Sequence, residues 1–149
     1  MTKLIYMTGD LFTSDAPALA HGVNCFGVMG AGIAKEFRAR YPEMFQHYYQ
    51  QCKDQTLQPG AVMEWRPGDG PTIYNIASQD KPGGYAQLGW LGAGLVTSLA
   101  SADRLGYDRI AVPWIGTGIG GLKQPPVEAM MRGAASKFNC DLEIWTYTD

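Results

Sequence analysis

The chain reads Gly27-Val28-Met29-Gly30-Ala31-Gly32 after its second apolar run and Gly116-Thr117-Gly118-Ile119-Gly120-Gly121 after its fifth. Each of these two glycine loops follows a strand-like segment and leads into a helix-like one. A helix start offers free backbone N–H groups and a positive dipole end, and glycine lets an anion approach the backbone closely. Together the loops predict a ligand with two or more phosphate or ribose groups held between them. Either loop taken alone is equally well explained as a tight turn.

Strand-like and helix-like segments alternate along the whole chain. Strands are predicted at Leu4–Met7, Ala18–Val23, Ala61–Trp65, Thr72–Ala77, Arg109–Pro113 and Leu142–Tyr147. Helices are predicted from about Ala31 to Arg40, from Pro42 to about Cys52, from about Leu88 to Leu105, and from about Pro125 onward. This alternation predicts a mostly parallel sheet covered by helices on both faces. Ligands of such sheets bind beyond the carboxyl ends of the strands, where both glycine loops fall.

Length, charge and cysteine content narrow the class of protein. The 149 residues with a net charge of -2 predict one domain, residues 1–149, with a substantial core and no clamp for long nucleic acid. The scattered Cys25, Cys52 and Cys140 support neither a disulfide framework nor a metal site, and they favour a reducing, cytoplasmic setting. No signal peptide or membrane-spanning run is visible. We expect a monomer that needs no cofactor and has no membrane partner.

Two common nucleotide-binding motifs do not explain the glycine loops. Gly116, Gly118 and Gly121 formally satisfy G-x-G-x-x-G, but that fingerprint belongs to the first strand–helix turn of a larger sheet. Here it lies late in the chain, with one predicted strand after it. A phosphate-binding G-K-[ST] sequence is absent. Neither a redox enzyme nor a nucleoside-triphosphate enzyme is therefore expected.

Three stretches of the chain resemble the signatures of the macrodomain family. They are Gly9-Asp10-Leu11, Asn24 with residues 27–34, and Pro113-Trp114-Ile115-Gly116-Thr117-Gly118, in the family's order and covering essentially the whole chain. The residues 29–34, with Phe37 and Tyr41-Pro42 after them, are similar to one branch of the family. That branch contains ADP-ribosyl glycohydrolases acting on protein and on DNA and an ADP-ribose-1″-phosphate phosphatase. The resemblance implies a three-layer α/β/α sandwich with a mixed sheet and ADP-ribose bound over the strand ends.

The resemblance also implies a role for individual residues. Asp10 would accept a hydrogen bond from the adenine amine, although it could also simply cap a turn. Asn24 would meet the hydroxyls of the distal ribose through both its donor and its acceptor. Tyr147 would stack on or edge against adenine, or be a half-buried edge aromatic. The remaining ligand-binding residues are Leu11, Gly30, Ala31, Gly32 and Ile33 on one side and Gly116, Thr117, Gly118, Ile119 and Gly120 around the pyrophosphate.

The two histidines are interpreted differently. His21 lies three residues before Asn24 on a predicted buried strand, where a lone histidine is more often part of the core. It could orient or deprotonate a water near the distal ribose C1″ if its ring reaches the cleft, and it is our second catalytic candidate after Asn24. His47 is expected at the surface.

Two positions depart from the branch that the chain resembles. Glycohydrolases that act through a covalent lysine adduct keep a lysine where this chain has Gln79 and an acidic residue where it has Gly120. A glutamine cannot form a Schiff base and a glycine cannot be a general acid, so we expect no lysine adduct, although Lys81 lies nearby in sequence. Three classes stay open: a hydrolase acting at C1″ through a positioned water, a reader that binds ADP-ribose without turnover, and a module with a different nucleotide or nucleic-acid ligand. Basic residues at 35, 38 and 40 could favour a nucleic-acid substrate or form a solvated face.

Overall fold

The computed structural model describes residues 3–148. Its strands are β1 (Leu4–Thr8), β2 (Ala18–Val23), β3 (Val62–Trp65), β4 (Thr72–Ala77), β5 (Arg109–Pro113) and β6 (Asp141–Thr146). They form a sheet in the order β1-β6-β5-β2-β4-β3. Neighbouring strands are parallel except β3, which pairs antiparallel with β4. The predicted mixed, mostly parallel sheet is confirmed.

Helices cover both faces of this sheet. They are α1 (Gly32–Arg40), α2 (Pro42–Lys53), α3 (Leu88–Arg104) and α4 (Gln124–Ala135). One apolar cluster joins the sheet to α1 and α2, and a second joins the opposite face to α3 and α4. The two clusters define the three-layer α/β/α sandwich. Within residues 3–148 no helix combines the length and the apolar character needed to cross a membrane.

Burial on both faces explains the composition of the central strands. In β2, Leu19 and Val23 belong to the α1–α2 cluster, whereas Ala18 and Ala20 belong to the α3–α4 cluster. A strand covered on both sides is therefore apolar for most of its length instead of alternating with polar residues, and His21 is the polar side chain of β2. Small residues set the spacing between layers. A Cβ at Gly94 of α3 would lie 2.3 Å from Ile76 Cγ2 on β4, so this helix contacts the sheet closely only because residue 94 is glycine.

The observed elements differ little from the predicted ones. The last strand ends at Thr146, which pairs with Thr8, so Tyr147 lies beyond the strand and not on it. A short 3-10 helix at Leu11–Thr13 was not predicted. It forms because an oxygen of the Asp10 carboxylate accepts the N–H of Phe12 at 3.0 Å and caps the turn.

The two glycine loops leave adjacent strands in opposite directions. The first leads from β2 to α1 on one face of the sheet, and the second leads from β5 to α4 on the other face. The divergence of two such loops opens a crevice between neighbouring strands, which is where open α/β sheets bind their ligands.

Candidate ligand-binding cleft

A cleft of about 1130 Å³ lies over the carboxyl ends of the strands. Small-molecule sites typically have volumes of about 300–1,000 Å³, so this cleft has room for an elongated ligand. It brings together Asp10, Leu11 and Asn24, the stretch 30–33 of the first glycine loop and α1, the stretch 116–120 of the second glycine loop, and Tyr147. These are the residues proposed from the sequence, with one exception, His21.

The order of the strands sets the order of chemical groups along the cleft. Asp10 follows β1 and Tyr147 follows β6 at one end, the glycine loops follow β5 and β2 in the middle, and Gln79 follows β4 at the other end. Strands lie about 4.8 Å apart, so the span from β1 to β4 is about 19 Å. The site therefore presents a carboxylate, then backbone N–H groups, then neutral polar side chains along one line.

A side chain holds the first glycine loop in place. Asn24 Oδ1 accepts the N–H of Phe26 at 2.9 Å and that of Val28 at 3.4 Å, and Asn24 Nδ2 donates to the Val28 carbonyl at 2.9 Å. The buried Tyr48 hydroxyl lies 2.8 Å from the Asn24 carbonyl oxygen and 3.0 Å from Asn24 Oδ1, and it shares its one proton between these two acceptors. This corrects the expectation that Asn24 offers both its donor and its acceptor to a ribose. The amide oxygen serves the loop, and one amide N–H is left for a ligand.

The first glycine loop ends at an uncapped helix. Ala31, the residue preceding α1, is extended and supplies no side-chain hydrogen bond, and the first turn of α1 carries no acidic residue. Gly32 has a φ of +60°, a left-handed conformation that favours glycine. The N–H groups at the start of α1 and the positive end of its dipole therefore face a site suited to an anion.

The second glycine loop is shaped by the absence of side chains. A Cβ at Gly120 would lie 2.8 Å from the Gly116 carbonyl oxygen and 2.9 Å from Ala86 Cβ. The N–H of Leu122 donates to the Gly116 carbonyl at 2.8 Å, which closes the loop. Among the described residues, no backbone hydrogen bond takes up the N–H groups of Gly118, Ile119 or Gly120. They are available to a phosphate, whereas an acidic side chain at position 120 does not fit.

A buried network supports the end of the cleft that holds Asp10. The Glu143 carboxylate accepts hydrogen bonds from Ser14 Oγ at 2.6 Å, Trp145 Nε1 at 2.7 Å and Arg109 Nε at 3.0 Å. These contacts fix Trp145, which lines the cleft, and the chain segment after the 3-10 helix. Since one Asp10 oxygen is used by the Phe12 N–H, the other is left to accept a hydrogen bond from a ligand.

Polar residues of the middle loop, residues 78–87, form the opposite end of the cleft. Gln79 lines the cleft, and its Nε2 donates to the carbonyl oxygens of Lys81 at 2.6 Å and Gly83 at 3.0 Å. The Lys81 ammonium does not line the cleft and lies 4.2 Å from the centre of the Tyr85 ring, in a cation–π contact. The chain therefore places a glutamine, and not an amine, at this end of the site.

His21 lies in the core and not in the cleft, which corrects the proposal that it activates a water. Its ring is fully buried and stacks on Phe37 of α1 with centroids 3.8 Å apart. His21 Nε2 lies 2.7 Å from Asn75 Oδ1, and Asn75 Nδ2 donates to the Met63 carbonyl at 3.1 Å, so Nε2 carries the proton. Burial lowers the pKa of His21 from 6.5 to about 4, only partly opposed by the Asn75 hydrogen bond. His47 is exposed, as expected.

Two of the three basic residues of α1, Arg38 and Arg40, contact aromatic rings. The Arg40 guanidinium lies 4.3 Å from the centre of the Phe12 ring, and both residues line the cleft near Asp10. Arg38 lies over Phe45 at 4.0 Å, away from the cleft. Phe12 and Arg40 were not predicted as ligand-binding residues, because they are far apart in sequence and carry no motif. The position of Phe12 directly after Asp10 and Leu11 in the sequence is the signal that could have suggested it.

The comparisons with known proteins agree with this architecture. A family model described as Macro domain matches residues 20–131, and the chain belongs to the macrodomain family. The macrodomain of Mycobacterium tuberculosis DarG superposes with a TM-score of 0.89 at 34% identity, over 99% of this chain and 100% of that one. The family and the fold predicted from the sequence are both confirmed.

Two curated relatives carry functional names. The DNA ADP-ribosyl glycohydrolase of Mycobacterium tuberculosis is 37% identical over 134 residues, which are 88% of this chain and 38% of that protein. The ADP-ribose 1″-phosphate phosphatase of Meyerozyma guilliermondii is 38% identical over 66 residues, 42% of this chain and 38% of that protein. The chain thus spans less than half the length of either relative.

Proposed function

We propose that this protein binds ADP-ribose in the cleft and hydrolyses ADP-ribose derivatives at C1″. The names of the relatives make ADP-ribosylated DNA the first substrate to test, followed by ADP-ribose 1″-phosphate and ADP-ribosylated protein. Reaction at C1″ would proceed through water and without a lysine adduct.

The order of groups along the cleft is the observation that carries this proposal. Adenine offers an exocyclic amine that suits the free oxygen of Asp10, and Tyr147 lies beside it at the same end. The pyrophosphate suits the N–H groups of the second glycine loop and the start of α1 in the middle. The distal ribose then falls at the β2–β4 end, beside Asn24 and Gln79. A shorter ligand such as AMP uses only part of this line.

Hydrolysis here would depend on positioning rather than on a side-chain base. Among the described residues, the charged side chains lining the cleft are Asp10, Glu36 and Arg40. Arg40 contacts Phe12 at the adenine end, and Glu36 lies 3.8 Å from the Arg40 guanidinium as an ion pair. A water oxygen would bond to C1″ while the bond to the leaving group breaks with its electron pair on the leaving group. The proton released by the water would pass to the leaving group, and a ligand phosphate could help to hold the water. Orientation of this kind contributes large rate factors when the reacting atoms are held close together.

A reader without turnover is the second candidate, and one observation favours it. The β2–β4 end of the cleft presents Asn24, Ser78 and Gln79, which are neutral, and lacks a lysine or carboxylate among the described lining residues. Such a surface recognises a ribose through hydrogen bonds and supplies no nucleophile. Release of ADP-ribose from the DNA-linked, phosphate-linked or protein-linked substrate would distinguish a hydrolase from a reader.

Titration calorimetry tests the binding step, and product analysis tests turnover. We expect ADP-ribose to bind in the micromolar range and AMP to bind much more weakly. Incubation with the three substrates should release ADP-ribose, and borohydride should trap no ligand on the protein. Equal affinity for AMP would remove the basis of the proposal, trapping at Lys81 would overturn the mechanism, and binding without release from any substrate would establish the reader.

We also propose a reducing, cytoplasmic location and a monomeric, single-domain state for this chain. The three free cysteines support the location, because Cys52 and Cys140 are buried as thiols and Cys25 is half-buried. Fractionation of the native cell and sedimentation of the purified chain test these two points.

A further inference from the structure

The Gln79 side-chain amide uses its nitrogen within its own loop and leaves its oxygen without a recorded donor among the described residues. Both N–H bonds of Nε2 are directed at backbone carbonyls of its own loop, those of Lys81 and Gly83. An amide group is planar, so these two bonds also fix the direction of Oε1. Within residues 3–148 no donor is placed on Oε1, and that oxygen is not among the buried atoms that lack a partner. The amide oxygen is therefore oriented and still accessible.

The loop that carries Gln79 is attached to the segment just before the first glycine loop and to the second glycine loop. The N–H of Cys25 donates to the Asp80 carbonyl at 3.1 Å, and the N–H of Ala86 donates to the Gly120 carbonyl at 3.1 Å. The N–H of Gln87 donates to the Ser78 carbonyl at 2.9 Å and closes the loop at its base. An acceptor at position 79 is thus held at a fixed place relative to a pyrophosphate bound between the glycine loops.

Strand order puts this acceptor at the end of the cleft opposite Asp10. A ligand with adenine beside Asp10 and phosphates in the middle directs its last ribose, and the anomeric carbon of that ribose, toward the β4 end. In free ADP-ribose that carbon carries a hydroxyl. During hydrolysis a water approaches the same carbon. Both are O–H donors that an amide oxygen accepts well.

We propose that Gln79 Oε1 accepts a hydrogen bond from the oxygen at C1″ of the distal ribose: the 1″-hydroxyl of ADP-ribose, or the water that attacks C1″. This inference rests on the proposed function and assigns Gln79 as the residue that reads the anomeric position. An amide does not take up a proton at neutral pH, so Gln79 orients the water and does not deprotonate it. The proton of the attacking water leaves with the departing group.

Binding of three ligands tests the role of Gln79 without requiring turnover. The ligands are ADP-ribose, its 1″-deoxy analogue and ADP, compared by calorimetry. We expect the wild-type protein to favour ADP-ribose over the 1″-deoxy analogue by about fivefold to tenfold, the size of one neutral hydrogen bond. Gln79→Met, which is similar in length but lacks the amide, should bind both ligands equally. Gln79→Glu keeps an acceptor but cannot donate to the Lys81 and Gly83 carbonyls, so the direction of its oxygen is no longer fixed and the preference should stay lost.

The affinity for ADP separates a direct contact from a structural role. If Gln79 only stabilises the middle loop, Gln79→Met will also lower the affinity for ADP, because the N–H of Ala86 in that loop donates to the carbonyl of Gly120 in the second glycine loop. We expect the ADP affinity to be unchanged, and Lys81→Ala, a neighbouring exposed residue, to leave all three affinities unchanged. Where conjugates are hydrolysed, Gln79→Met should lower kcat and leave KM for the conjugate within twofold.

Each failure has its own signature. Absence of ADP-ribose binding by the wild-type protein would remove the proposed function. Binding of ADP-ribose with no preference over the 1″-deoxy analogue, or a preference that survives in Gln79→Met, would overturn the role of Gln79 alone. A loss of ADP affinity in Gln79→Met equal to its loss of ADP-ribose affinity would make the residue structural and also overturn the proposal.

Discussion

The two glycine loops look alike in sequence but are held by opposite means. The first is organised by the Asn24 amide, which bonds the backbone at Phe26 and Val28 and is itself bonded by Tyr48. The second is held by close backbone packing that leaves no room for a Cβ at Gly120. One loop thus requires a particular side chain, and the other requires that a side chain be absent.

A glycine-rich signature therefore does not by itself reveal how a loop is stabilised. A Cβ added at Gly118, inside the second loop, would have no described atom within 4 Å, whereas a Cβ added at Gly120 would clash with Gly116 and Ala86. Substitutions can therefore be directed separately at the ligand and at the loop. Four predictions use this contrast.

The largest effect is expected from Gly118→Glu. The introduced glutamate side chain has space in the free protein, so the fold should persist. Its carboxylate would occupy the position proposed for the pyrophosphate. Like charges in contact cost several kcal/mol, so ADP-ribose affinity should fall by at least about 100-fold in calorimetry. Gly133→Glu, at an exposed and equally uncrowded glycine of α4, is the matched control and should bind normally. Normal binding by Gly118→Glu would show that phosphate does not sit at the second loop.

The next effect is a pH dependence of the free energy of unfolding, caused by His21 on β2, the strand that leads into the first loop. His21 stacks on Phe37 of α1, and burial lowers its pKa to about 4, whereas the unfolded chain has the ordinary value near 6.5. Between these values the unfolded state binds more protons, so the stability that is present above pH 6.5 is lost as pH falls toward 4. The loss from this residue is roughly 3 kcal/mol in the free energy of unfolding.

Denaturant unfolding at several pH values checks this expectation. His21→Gln should lack most of the slope between pH 6.5 and 4, whatever its stability at neutral pH, whereas His47→Gln, at an exposed histidine, should keep it. An unchanged slope in His21→Gln would mean that the buried ring does not resist protonation.

Local patterns in the sequence were sufficient for the fold. Strand and helix positions were predicted to within about two residues, because the central strands are buried on both faces and are therefore mostly apolar segments between turn residues. The glycine loops could be placed at the strand ends for the same reason. The short 3-10 helix was missed because its Asp10 cap is a single local hydrogen bond.

Side-chain directions within the site could not be predicted, because they depend on contacts distant in sequence. Asn24 turns into its own loop partly because Tyr48, on α2, donates to it. His21 points away from the cleft because Phe37 of α1 covers its ring. Arg40 reaches the cleft through its contact with Phe12. Tertiary packing of α1 and α2 decides all three, and no spacing in the sequence encodes it.

A smaller effect is expected from Asn24→Ala, which removes the side chain that the first loop requires. The N–H groups of Phe26 and Val28 and the Val28 carbonyl would lose their partner, so the free energy of unfolding should fall by about 2 kcal/mol. ADP-ribose affinity and turnover should fall together, because the loop that holds the ribose loses its shape. Asn139→Ala, at an exposed asparagine, is the control. A loss of turnover with unchanged affinity and stability would instead show that Asn24 acts directly on the reacting ribose.

The smallest effect is expected from Gly120→Ala, which adds the single Cβ that the second loop excludes. That atom would lie 2.8 Å from the Gly116 carbonyl oxygen and 2.9 Å from Ala86 Cβ, so the backbone must shift. Overpacking by a single methyl group costs about 1 kcal/mol, at the lower end of its usual range. The displaced N–H groups should lower the affinities for ADP-ribose and for ADP alike, by about tenfold in calorimetry. Gly118→Ala adds the same methyl group in open space and should change stability and affinity little. Equal behaviour of the two alanine variants would mean that the second loop yields without cost, and an acidic residue at position 120 would then be excluded by something other than packing.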